Sequence, residues 1–108
     1  TIAVPKEAAG RDFFGLTFEG YVEVRHHGVH TFCVESNDGA LLEVAGERVV
    51  DNDGVHGVRR SCGEVALAPG LHPLRVLYFE DGGSEKLDVL HAFGAVTPRQ
   101  LPAEALHH

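Results

Sequence analysis

Tryptophan and methionine are missing altogether from these 108 residues, and only two cysteines and two tyrosines occur. The two cysteines, Cys33 and Cys62, are too few and too far apart for a C-x-x-C metal pattern. They read as two half-buried free thiols. A disulfide stays open as the alternative, because sequence alone cannot bring their Cα atoms within the ~7 Å a bridge needs. Long hydrophobic runs are missing too: nothing approaches the ~18 to 20 apolar residues of a membrane span, so no membrane insertion is expected. Positive charge is scarce, with nine Lys and Arg against sixteen Asp and Glu and a net charge of −7. That balance argues against a nucleic-acid partner, which calls for a basic face. No nucleophile elbow, phosphate-binding loop or dinucleotide fingerprint occurs, and sixteen carboxylates guarantee accidental pairs. The expectation is therefore a chain with no catalytic residues.

What the chain does have is period-two patterning. In "LTFEGYVEV", Leu16, Phe18, Val22 and Val24 fall on one face, and Thr17, Glu19, Tyr21 and Glu23 on the other. In "VHTFCVES", His30, Phe32 and Val34 share a face, and in "LHPLRVLYFE" Leu74, Val76 and Tyr78 oppose Arg75, Leu77 and Phe79. No segment of ten or more residues repeats at helical spacing. Seven or eight short strands, punctuated by thirteen glycines, give an all-β antiparallel sandwich or barrel. A chain of this length buries roughly 65% of its unfolded surface, which suits one domain, taken as residues 1–106. The chain begins at "TIAVPKEAAG", without methionine or a secretory signal, and reads as a domain excised from a larger secreted protein. His107 and His108 are set aside as a tag remnant.

Three stretches carry chemistry. "ESNDGALLEV" places Asn37 and Asp38 at a tight turn. Asn, Asp and Gly suit hairpin turns, which is one reading; two adjacent oxygen donors presented to a hard cation is the other. "DNDGVHG" holds Asp51, Asn52 and Asp53 but lacks the Glu that closes an EF-hand loop, so these side chains are expected to cap turns. His26, His30, His56, His72 and His91 are scattered along strands and turns, and read as core or surface residues rather than metal ligands.

Taken in order, "FEGYVEV", "HHGVHTFCVESNDGALLEVAGERVVDNDGVHG" and "GEVALAPGLHPLRVLYFEDGGSEKLDV" resemble the PA-fourteen domain, over about residues 13 to 102. The resemblance implies an all-β sandwich found as an insert or appendage of secreted glycosidases, adhesins, toxins and cell-surface proteins. In sugar-binding members, two consecutive Asp residues joined by a cis peptide bond hold a Ca²⁺ ion that bridges to sugar hydroxyls. By position, that pair falls on Asn37 and Asp38. Further ligands fall on the loop Asp81, Gly82, Gly83, Ser84 and Glu85, with Asp81 as the third metal ligand. Asn37 in place of Asp removes one formal charge, which lowers calcium affinity while leaving a carbonyl oxygen to offer. Ala40 stands where Ser is frequent and His30 where Tyr is usual. With no tryptophan, only Tyr21, Tyr78 and the six phenylalanines are left to supply a platform on which a sugar ring could stack, and most of those are expected in the core.

The resemblance thus implies a non-catalytic carbohydrate-binding module. Its partners would be a glycan or polysaccharide and the other domains of a parent protein, in an extracellular, cell-surface or periplasmic setting. The alternative is a structural or protein-interaction module that has lost cation and sugar binding.

Overall fold

Alternation along the chain resolves into nine strands among the residues that the computed structural model describes, namely 14–37, 39–52, 59–80, 86–94 and 96–107. At residues 14–16, 79–80, 86 and 103 only the backbone is described. The strands are β1 (Phe14–Val24), β2 (Gly28–Asn37), β3 (Gly39–Val44), β4 (Glu47–Asn52), β5 (Arg59–Leu67), β6 (Gly70–Glu80), β7 (Lys86–Phe93), β8 (Arg99–Gln100) and β9 (Leu106–His107). They form two antiparallel sheets, ordered β4-β3-β6-β1-β9 and β5-β2-β7-β8. The expected all-β sandwich is what the chain adopts. His107 pairs with Tyr21 as part of β9.

The apolar face of each strand packs between the sheets. Val22, Phe32, Val34, Leu42, Val76 and Tyr78 are at most 1% exposed, whereas Thr17, Glu19 and Arg75 on the opposite faces are exposed. Each buried Val, Leu or Phe contributes about 1.5–3 kcal/mol, so the shared inner face is the main source of stability. Register follows from it, because a one-residue slip would turn every apolar side chain outward. β1 and β6 keep an unbroken register from Phe14↔Glu80 to Val24↔Gly70.

Two features also tie the edges together. Gly63 of β5 lies so close to β4 that a Cβ there would sit 1.8 Å from the Val49 carbonyl oxygen, so only glycine lets β5 approach the other sheet at this edge. Asn52, at the end of β4, is fully buried. Its amide nitrogen lies 3.0 Å from Ser36 Oγ and 2.7 Å from the Arg59 carbonyl oxygen, and its Oδ1 accepts from Arg59 Nε at 2.8 Å. Asn52 therefore bonds to β2 and β5 of the opposite sheet, where a turn cap was expected. Asp51 is likewise in β4 rather than in a loop, while Asp53 lies outside the described residues.

The expectation of free thiols is overturned. Cys33 and Cys62 face each other in the β2–β5 register and form a disulfide, with Cα atoms 4.0 Å apart. Directly opposed residues of an antiparallel pair come within reach of a bridge, and it was this register that the sequence left open.

Candidate functional site

The turn expected at "SNDG" is not a hairpin within one sheet. β2 ends at Asn37 in the four-stranded sheet and β3 starts at Gly39 in the five-stranded one, so the chain changes sheets between Asn37 and Gly39. Two more crossings leave from the same end. Residues 53–58 connect β4 to β5, and 81–85 connect β6 to β7. Strand register brings their ends together: Asn37 is opposite Lys86, Gly39 opposite Phe79, Ala40 opposite Asn52, and Ser36 opposite Arg59. The ends of the Asp38 link thus lie against the ends of the 81–85 connection.

Of the residues picked out in sequence, Asn37 is described and is half-buried at the rim. Asp38, Asp81, Gly82, Gly83, Ser84 and Glu85 lie outside the described residues. Asn37 is held from beneath. The Tyr78 side chain is fully buried, and its hydroxyl donates to the Asn37 backbone carbonyl. Tyr78 belongs to β6 of the five-stranded sheet, so this bond fixes the peptide that leads into Asp38 from across the sandwich. The sequence placed Tyr78 in the core but not its hydroxyl. The available signal was a Tyr where a Phe would fill the same space, since a buried phenol needs a partner. Replacing Tyr78 with Phe should cost about 1–2 kcal/mol, read as a lower melting temperature with an unchanged β-sheet circular dichroism spectrum.

Calcium chemistry suits the donors at this rim. Asn37, Asp38 and Asp81 all carry oxygen donors, the type that calcium coordinates, and of the three only Asn37 is among the described residues. Among the described residues, no group of three His, Cys, Asp or Glu side chains could hold a metal ion.

His26, His30 and His91 gather at the other end of the sandwich, and His56 lies outside the described residues. His30 is buried, with Nε2 2.8 Å from the His26 carbonyl oxygen and Nδ1 2.9 Å from His91 Nε2. A carbonyl only accepts, so His30 donates from Nε2, and the neutral His91 must then donate from Nε2 to His30 Nδ1. The His26 and His91 rings stack with Phe93 and His30 respectively. Sequence spacing missed this pair because it joins β2 to β7 across the sheet. Burial, followed by the nearby His30, lowers the His91 pKa from 6.5 to about 4. Folding thus releases a proton from His91 between those values. Its contribution to stability is complete above pH ~6.5 and lost as pH falls through about 4. Discounted for partial exposure, the loss should be about 1–2 kcal/mol. Urea midpoints at pH 7.5 and 4.5 test this, and His91→Gln should flatten the slope.

The sequence profile of the PA14 domain matches residues 2–100. This chain belongs to the PA14 domain family. A PA14 sugar-binding domain from an RTX adhesin superposes with a TM-score of 0.79 at 22% identity, covering 90% of this chain and 55% of that one. The epithelial adhesin 6 A domain from Candida glabrata, solved in complex with Galβ1-3GlcNAc, gives 0.73 at 13% identity, with 89% and 51% covered. A GH31 α-xylosidase from Xanthomonas citri gives 0.68 at 30% identity, covering 94% of this chain and 11% of the enzyme. Against three other matching structures the chain spans 32%, 37% and 50% of their length. A search of curated proteins found no match. At such identities the adhesin superpositions establish a PA14 sandwich shared with them, and no more.

Proposed function

We propose that this PA14 domain is a non-catalytic carbohydrate-binding module of a larger extracellular protein, and that it binds sugar hydroxyls through a calcium ion. Asp38 is the principal ligand, the Asn37 side-chain oxygen a weaker one, and Asp81 a third. Gly82, Gly83, Ser84 and Glu85 line the sugar beside it. The observation that carries this reading is the convergence of the chain crossings at one rim, with Tyr78 anchoring the Asn37 carbonyl immediately before Asp38. A bound calcium would supply coordination positions that vicinal hydroxyls can fill in place of water. One sugar held this way binds near the millimolar range, worth ~4 kcal/mol. Linkage to a parent protein raises the effective affinity through avidity. Further support comes from two proteins of the same fold, one a sugar-binding domain and the other solved with a disaccharide.

A second reading has one observation in its favour, the neutral Asn37 where sugar-binding members carry a second carboxylate. On that reading the domain is a structural or protein-interaction module without a cation. A glycan array probed with the whole chain in millimolar Ca²⁺, and again in EDTA, separates the two. Spots that appear with calcium and vanish with EDTA support the first reading; an array equally blank in both supports the second.

A further inference from the structure

A depression of about 490 Å³ lies on the outer face of the five-stranded sheet, towards the end opposite the three crossings. Strand register arranges its side chains in two rows. In one, Glu19 of β1, Arg75 of β6 and Glu43 of β3 are successive partners across the sheet. In the other, Tyr21 stands beside Pro73, with Gly46 beyond them at the β3–β4 turn. A tall ring next to a proline and a glycine makes the hollow. Tyr21 is 44% exposed, so an amphipathic ring stands on this outer face.

The charged row is loosely paired. Arg75 Nε lies 3.6 Å from Glu19 Oε1, and Nη1 lies 3.5 Å from Glu43 Oε1. Charge-assisted hydrogen bonds close to ~2.7–2.9 Å, so this row keeps acceptors and donors available to a ligand. Two flanking carboxylates repel an anion, and the guanidinium between them repels a cation. Acceptor, donor and acceptor in sequence suit a neutral ligand that both gives and takes hydrogen bonds. The tyrosine ring and the proline suit an apolar face on the same ligand. A pyranose has both, a C–H face and a rim of hydroxyls.

We propose that the hollow formed by Glu19, Tyr21, Glu43, Pro73 and Arg75 is a second, calcium-independent subsite for one pyranose unit. The proposal rests on the carbohydrate-binding reading, but it uses none of the residues of the Asp38 rim. The subsite lies on a different face from that rim, so a branched or extended glycan could engage both.

The test is an amide-resolved NMR titration of the whole chain in EDTA. Methyl β-D-galactopyranoside, methyl α-D-glucopyranoside and xylose serve as probes. Tyr21 and Arg75 amides are expected to shift with a midpoint in the millimolar range for at least one probe. Tyr21→Ala should weaken that binding about tenfold, Tyr21→Phe should preserve it, and Asp38→Ala should leave it unchanged. No response at these amides, or one that survives Tyr21→Ala, overturns the proposal. So does a shift produced by concentrating the protein alone, which would make the face a contact between copies. Because EDTA removes any calcium-dependent component, this subsite can fail while the Asp38 site stands, and the reverse.

Discussion

Asp38→Ala is expected to abolish calcium-dependent glycan binding, a loss of at least about 100-fold in affinity. Asp38 is the one carboxylate in the two-residue motif, because position 37 carries a neutral amide. Its removal leaves the Asn37 oxygen and Asp81, too little charge for a cation whose affinity follows the number of charged ligands. The complementary change works in the opposite direction. Asn37→Asp restores the second carboxylate and should tighten calcium binding by about tenfold. Calorimetric titration of Ca²⁺ into the two variants and the unaltered chain reads both effects. An Asp38→Ala protein that binds calcium and glycan like the parent would move the ion elsewhere.

Reducing the Cys33–Cys62 disulfide should have the largest effect on stability. The bridge closes a loop of 29 residues, and restricting an unfolded chain over that length is worth about 3–4 kcal/mol. For a domain of this size, the melting temperature should fall by about 15–25 °C. Cys33 is fully buried in β2, so reduction of the native chain is a cleaner test than substitution, which would also leave a cavity. Melting curves with and without a reductant, with the thiol count checked by mass spectrometry, decide it. Equal melting temperatures for the bridged and reduced forms would contradict the expectation.

The parts of the fold that were legible in sequence are those set by local pattern. The alternation of Leu74, Val76 and Tyr78 with Arg75 is a property of adjacent residues, and it marked the inner face of β6 correctly. His30, Phe32 and Val34 of "VHTFCVES" are likewise buried together in β2. What was not legible depends on which strands lie side by side. Cys33 meets Cys62, and His30 meets His91, only because β2 runs between β5 and β7. The Asn-Asp-Gly run illustrates another limit. Residues that tolerate unusual backbone angles serve a hairpin and a crossing between sheets equally well, so turn chemistry could not tell one from the other. Asn52 was read as a turn cap for the same reason, although its amide is spent joining the two sheets. At the candidate site, Asn37 was identified from the motif. The support beneath it, the Tyr78 hydroxyl, was hidden inside a side chain that looked like ordinary core.

The most direct measurement of the calcium-assisted reading is the melting temperature of the unaltered chain as Ca²⁺ is raised from EDTA to ~10 mM, far enough to load an extracellular-type site of ~0.1–1 mM affinity. A ligand that binds only the folded state at ten to a hundred times its dissociation constant adds about 1.4–2.7 kcal/mol. The melting temperature should therefore rise by about 10 °C and then level off, with magnesium failing to reproduce the rise. A curve that stays in place across the whole calcium range would contradict a cation site at Asp38.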